Sequence, residues 1–317
     1  MQYTQKRTPR DYLGLTLRGM LIGSADIVPG VSGGTMAFIL GIYDELIDAV
    51  RSVVPFLKDL VRLRWRAAFE SFPWGFVLSI GLGILMAVLG LARFLHWALE
   101  AHPEYIFALF FGLIVASIFI VGKRVYRWSP LNITSASLAA VGAFILIGLA
   151  PANTPHTPFY IFLSGALAIP ALILPGVSGA FILVLLGKYH YLLGVLLALD
   201  LIALGIFFAG AATGLVTISN ILRWLLDHFH DLTIAVLIGF MIGALRKVWP
   251  WKVYEHVSEA FVREINILPA GLTPDIWAAL GLMVLGMLAI VAVDRVAIRA
   301  HRFNVEETAP SKFSAAE

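Results

Sequence analysis

Cysteine is absent from this 317-residue chain, so no disulfide can staple it and no thiolate can hold a metal. Charge is scarce as well. Asp, Glu, Lys and Arg make up 14% of the residues and 60% are hydrophobic, whereas an average soluble domain is about a quarter charged. The eight histidines fall mostly in loops and at span ends, with no His-Glu-x-x-His arrangement, so neither a metal nor a cofactor is expected. A cleaved signal peptide is not expected either. The start "MQYTQKRTPRDYLGLTLRGMLIGSAD" has Arg18 and Asp26 inside its apolar run and no convincing cleavage site.

What the chain has instead is length in apolar runs. Crossing about 30 Å of hydrocarbon takes about 20 helical residues, and six segments qualify: Trp74–Leu95, Tyr105–Gly122, Ile133–Ala150, Val195–Leu222, Leu232–Trp249 and Ile276–Asp294. The expected fold is an all-α polytopic membrane protein. Two further regions, Tyr12–Val50 and Phe159–Leu193, are interrupted by Pro29-Gly30 and Pro175-Gly176. Proline removes a donor and disfavours helix in the residue before it, so each region is predicted to be two half-helices with a bend. Bare backbone at membrane depth survives only against protein or a water-filled cavity, and both regions read as re-entrant hairpins. With the amino terminus inside and both hairpins returning to their own side, 17 of the 23 Lys and Arg fall on the cytoplasmic face and 6 outside. Both termini are therefore expected in the cytoplasm.

The two interrupted regions are related to each other. Ile27–Leu46 and Ile173–Leu192, 146 positions apart, are identical at ten of twenty positions, including the run Pro-Gly-Val-Ser-Gly. A weaker echo pairs "FFGLIVAS" at Phe110 with "LIGFMIGA" at Leu237. The chain thus divides into a first unit, 1–150 (hairpin 12–50, spans 74–95, 105–122 and 133–150), and a second, 151–302 (hairpin 159–193, spans 195–222, 232–249 and 276–294). A disordered cytoplasmic tail, 303–317, follows. Three spans separate the hairpins, so the second unit begins on the opposite face. Inverted repeats with broken helices are an architecture of transporters whose substrate sits between the repeats.

The local chemistry suits an anion. A helix predicted to begin near Ser32 or Ser178 presents unpaired N–H groups and about half a positive charge. Gly33, Gly34 and Gly179 let an anion approach the backbone, and Ser32, Thr35 and Ser178 supply hydroxyls. The alternative is that Pro-Gly and Ser-Gly only cap and bend two helices, with the glycines aiding packing. Arg246 and Lys247 either snorkel to the interface or capture a phosphate, and Lys188 and Arg18 carry the same two readings. Asp26 and Asp200 are intramembrane carboxylates, which makes them candidates for a proton or cation relay. Alternatively, Asp26 caps backbone at the bend and Asp200 lies near the interface. Asp44 and Glu45 are expected to be solvated. The segment Lys252–Asp275 is expected outside, with a short surface helix. A net charge of +3, arising from the cytoplasmic arginines, points to anionic lipid and not to nucleic acid.

The stretches "ADIVPGVSGGTMAFILGIYDELI", "LILPGVSGAFILVLLGKYHYLL" and "GFMIGALRKVWPW" resemble the PopT family of polyprenyl-phosphate translocases over nearly the whole chain. The resemblance implies a bacterial inner-membrane protein that returns undecaprenyl phosphate from the outer to the cytoplasmic leaflet for reuse in cell-wall synthesis. It departs at Ala180, where the family often has a small hydroxyl residue, which argues against equal roles for the two copies. The residues also leave open a small inorganic anion carrier or a membrane lipid phosphatase. The phosphatase would need a base beside Ser32 or Ser178, and no histidine stands near either in sequence. A homo-oligomer is left open.

Overall fold

The computed structural model describes residues 7–27, 32–149, 154–258, 261–269, 271 and 273–308. It is a helical bundle built from α1 (Pro9–Ile27), α2 (Gly33–Ile39), α3 (Tyr43–Val61), α4 (Trp65–Ser71), α5 (Trp74–Ala101), α6 (Pro103–Gly122) and α7 (Pro130–Ile147) in the first half. The second half has α8 (Pro158–Ala171), α9 (Gly179–Leu185), α10 (Tyr189–Leu197), α11 (Leu201–His228), α12 (His230–Ala244), the strands β1 (Lys252–Ser258) and β2 (Phe261–Asn266), and α13 (Pro274–Thr308). Proline opens α1, α6, α7, α8 and α13, because its fixed φ suits the first turn, where no backbone N–H is needed. Five described helices are long and apolar enough to cross a membrane, and the bent pair α9–α10 would make a sixth. The protein is a multi-pass α-helical membrane protein.

Four helix pairs dominate the packing: α1 on α5, α8 on α11, α6 on α13 and α7 on α12. Membrane helices gain no hydrophobic drive from each other and associate where small residues admit a neighbouring backbone. The small residues recur at matched places. A side chain on Gly19 would strike the Ile80 carbonyl, and one on Gly165, 146 positions later, the Phe207 carbonyl. Gly83 abuts the Thr16 carbonyl, and Gly210, 127 positions later, abuts that of Phe162. Gly112 and Gly239, the glycines of the weak echo, meet the carbonyls of Met283 on α13 and Ala136 on α7.

Several expected boundaries change. The span expected over Val195–Leu222 is instead α10 and α11, parted at Ala198–Asp200 with Leu199 at φ +51°. Asp200 starts the second of these, accepting hydrogen bonds from the N–H groups of Ile202 and Ala203, both at 3.1 Å. It is an exposed helix cap and not a charge inside a span. The span expected over Leu232–Trp249 is a 15-residue helix, α12, that ends at Ala244, and Arg246 and Lys247 lie in the turns that follow. Each interrupted region has a second bend. At Gly41 (φ +71°) and Gly187 (φ +65°) the left-handed backbone that glycine alone adopts freely ends α2 and α9. The α9–α10 bend is 105°. The expected surface helix in Lys252–Asp275 is an antiparallel hairpin, with Lys252 opposite Asn266 and Tyr254 opposite Glu264. Its Val, Ile, Tyr and Phe residues favour the pleated surface. The helix α13 runs to Thr308, past the expected boundary at 302, while 309–317 lie outside the described residues.

Candidate functional site

The first of the two matched helix starts is bonded to the chain that leads into the second. Ser32 caps α2, its hydroxyl oxygen accepting from the Gly34 N–H at 3.2 Å. The Gly33 N–H donates to Asp26 Oδ1 at 2.7 Å, and the Gly34 N–H donates to the Leu172 carbonyl at 3.0 Å. The Ser32 hydroxyl also lies 3.4 and 3.3 Å from the carbonyls of Leu172 and Leu174. Thr35 Oγ1 accepts from the Gly176 N–H at 2.8 Å. The start of α2 is thus stitched to the end of α8 and the bend that follows it. The expectation of unpaired N–H groups does not hold at Gly33 and Gly34, because the chain's own oxygens occupy them. Every residue of α2 is buried. Pro29 and Gly30 lie outside the described residues.

The second start is less enclosed. Ser178 caps α9 by accepting from the Phe181 N–H at 3.4 Å. Of α9 only Gly179 is buried, and Ala180 and Val184 are exposed. Pro175 is fully buried. Gly176 adopts φ +82° where the chain passes the Phe240 backbone of α12, a place without room for a Cβ. Ala180 matches Gly34. A Cβ at Gly34 would run into the Ile173 carbonyl, and at Ala180 it stands exposed. This accounts for why the second copy carries alanine there.

The candidate cations are placed unequally. Lys188 is fully buried, and its ammonium donates at 2.7 Å to the carbonyls of Thr154 and Pro155, with His156 Nδ1 at 2.9 Å. Three contacts match its three donors, so it fastens the segment before α8. Arg18 is half-buried on α1, about two turns before Asp26. Arg246 donates from Nη1 to the Phe144 carbonyl at 2.7 Å and stacks 4.3 Å from the Phe144 ring centroid. A cation there complements the carbonyl end of α7. Lys247 lies 5.8 Å from the Phe181 ring of α9 and pairs with Glu264 Oε1 at 2.6 Å.

Three functional candidates escaped sequence reasoning. Lys252 and Glu264 join Lys247: Lys252 Nζ is 2.9 Å from Glu264 Oε2 and 4.2 Å from the Phe107 ring centroid, with its side chain 2% exposed. Burial works against the Glu264 carboxylate, but the two ammonium groups together outweigh it and hold its pKa below the ordinary value. Burial lowers the pKa of Lys252 despite Glu264. The third is a network between α3 and α11. Arg223 lies 3.8 Å from Asp44, 3.6 Å from Asp48 and 3.2 Å from Asp227. Arg51 donates to Asn220 at 2.9 Å. The expectation that Asp44 and Glu45 are solvated holds for Asp44, which is exposed 3.8 Å from Arg223, and is corrected for Glu45, whose partly buried carboxylate pairs with Arg7 at 2.5 Å. The β-branched and aromatic residues around Lys252 and Glu264 were the available signal for the hairpin.

Known proteins give this geometry a context. The profile of a family described as undecaprenyl phosphate translocase-like matches residues 22–264. A polyprenyl-phosphate transporter of Vibrio cholerae is 39% identical over 243 residues, covering 76% of this chain and 79% of that protein. A polyprenyl-phosphate transporter of Staphylococcus aureus is 29% identical over 252 residues, covering 74% and 85%. No solved structure matches. The family and both relatives are described as transporters and not as enzymes, which sets the phosphatase reading aside. From residue 22 to residue 264, across both Pro-Gly-Val-Ser-Gly motifs, the chain belongs to the undecaprenyl phosphate translocase-like family.

Proposed function

We propose that this protein moves undecaprenyl phosphate from the outer to the cytoplasmic leaflet of the bacterial inner membrane, so that the carrier lipid is reused in cell-wall synthesis. The two halves act as inverted repeats with both termini in the cytoplasm. The matched glycine contacts at offsets of 146 and 127 residues support the repeat, and the excess of cytoplasmic Lys and Arg supports the orientation. The phosphate is held between the Ser32 and Ser178 helix starts, and the isoprenoid tail stays in lipid.

The observation that carries this reading is the inequality of the two starts. Around Ser32 the chain has closed on itself through Asp26, Leu172, Leu174 and Gly176. Around Ser178 the helix is half-exposed, with the Lys247 ammonium beside its Phe181. In the proposed topology the closed side is cytoplasmic, where α3 packs on α11 through the Arg223 network. The matched contact on the other side, α10 against α5, is not among the closely packed helix pairs. The conformation is one that receives a headgroup from outside and then exchanges the two closures.

The test is transport of labelled undecaprenyl phosphate by the purified chain in liposomes, with each leaflet assayed separately. The expected result is lipid in the opposite leaflet with no release of inorganic phosphate. Transport of free phosphate alone, or a static lipid, overturns the proposal.

A further inference from the structure

Glu264 holds a position that a substrate phosphate could occupy. Its two carboxylate oxygens are gripped separately, Oε1 by Lys247 at 2.6 Å and Oε2 by Lys252 at 2.9 Å. Two oxygens on one atom, each facing its own ammonium, is the arrangement a phosphate monoester offers. The charge does not balance, since two cations face one carboxylate. A phosphate monoester carries about −1.5 to −2 at neutral pH and would balance both. Lys252 is buried against the Phe107 ring, where water competes little for its charge. The Lys247 ammonium has one hydrogen-bond partner among the described residues, Glu264, and so keeps donors to spare. It reaches toward Phe181 on the half-exposed α9.

Glu264 is also carried by a movable element. It stands on β2 of a two-stranded hairpin, a unit that is marginally stable alone. Apart from the Glu264 pairs, the fastenings of the hairpin's base join Trp249 to Ile267 at 2.8 Å, Ile267 to Trp251 at 3.0 Å, Asn266 to Arg246 at 2.8 Å and Lys252 to the Lys247 carbonyl at 2.5 Å. The middle of the ribbon can therefore lift without unmaking its foot. Taking Glu264 away and leaving the lysines without an anion would be costly, so the exchange needs an incoming anion.

We propose that Lys247 and Lys252 form a docking subsite for a phosphate monoester, with the Glu264 carboxylate as its built-in placeholder when no lipid is bound. The inference rests on the transport reading above for the identity of the monoester, and on this geometry alone for the existence of the subsite. The side chain is then a selectivity device: a neutral or weakly charged headgroup does not displace it.

The test is equilibrium binding to the full-length chain in detergent, with undecaprenyl phosphate and inorganic phosphate as separate probes. Glu264→Gln removes the competing charge and is expected to tighten binding of both probes about tenfold. Lys252→Gln is expected to weaken both by a similar factor and to cancel the gain when combined with Glu264→Gln. Glu264→Asp, with the carboxylate drawn back by one methylene, serves if the glutamine variant does not fold and is expected to show a smaller gain. Unchanged or weaker binding of both probes in a folded Glu264 variant makes this residue a brace and overturns the subsite. A wild-type chain that moves no lipid, beside a Glu264→Gln chain that gains phosphate affinity, overturns the transport reading and keeps the subsite. Lipid transport with no response to Glu264→Gln does the reverse.

Discussion

The helix starts at Ser32 and Ser178 share a five-residue lead and sit in unlike surroundings. At the first, each of the first two N–H groups of the helix has an oxygen from the protein, and the whole of α2 is buried. At the second, the cap is a single 3.4 Å bond from the Phe181 N–H, and α9 is half-exposed, with only Gly179 buried. Each has a cation over a nearby ring, Arg124 at 5.1 Å from Phe38 and Lys247 at 5.8 Å from Phe181. Lys247 is held by a carboxylate. One sequence motif therefore does not fix one environment. The difference arises from what the rest of the bundle lays over each copy, and an alternating carrier needs that difference to be exchangeable.

Substitutions at matched positions should separate the two copies, and the largest effect is expected at Gly34. Gly34→Ala puts a methyl group into the Ile173 carbonyl, and overpacking of this kind costs about 1–3 kcal/mol. The matched Ala180→Gly should stay within about 1 kcal/mol, the difference in helix propensity. Thermal unfolding in detergent reads both, and equal losses would mean that the two surroundings are alike. At Gly33 a Cβ would lie 2.6 Å from Asp26 Oδ2, so loss of transport in Gly33→Val would report packing as well as binding.

Asp26 and Asp200 sharpen the comparison next. Asp26→Ala leaves the Gly33 N–H without its acceptor, at a cost of about 1–3 kcal/mol. Asp26→Asn keeps an acceptor and should lose less stability, while flattening the pH profile of transport in liposomes if this carboxylate relays protons. Asp200→Asn should leave stability and the pH profile near wild type, because asparagine caps helices as well as aspartate does. A pH profile altered by Asp200→Asn and untouched by Asp26→Asn would reverse the assignment.

The α3–α11 network should matter more to rate than to stability. Its members are 30–69% exposed, and such pairs are worth about 0–1 kcal/mol each. Arg223→Asp should impair transport with little change in melting temperature, and Asp48→Arg in the same chain should restore part of the rate. No restoration would mean that the charges do not act as a pair.

The smallest effect concerns acid stability. The carboxyl of Glu264 titrates lower in the folded chain than in the unfolded one. Its contribution is therefore complete above the unfolded value, about 4.3, and is lost as pH falls through the lower folded value. Glu264→Gln should remove that part of the acid-limb slope in a melting-temperature series. An unchanged slope would show that the two lysines do not hold this carboxylate.

How much of this was legible in the sequence depends on how local the cause is. The apolar spans at Trp74, Tyr105, Ile133 and Ile276 correspond to α5, α6, α7 and α13, since composition and length suffice for them. The doubled Pro-Gly-Val-Ser-Gly run located both helix starts and their serine caps. Asp200 stayed open between two readings because an aspartate among leucines looks like an intramembrane charge, while an aspartate before an apolar run is also a helix start. The second bends were written in Gly41 and Gly187, a matched pair overshadowed by the prolines. The oxygens of Leu172 and Leu174 over Ser32 were not legible at all. They lie 140 and 142 residues away, and a backbone carbonyl leaves no mark in the residue type.

The central claim, that an arriving phosphate meets the second copy first, is tested most directly by photocrosslinking. An undecaprenyl phosphate analogue carrying its photoreactive group beside the phosphate would be presented to the wild-type chain in liposomes and its adducts mapped by peptide. The account predicts adducts in 176–184 and 245–252, suppressed by excess unlabelled undecaprenyl phosphate. Competed adducts confined to 32–39, around the closed first copy, would contradict it.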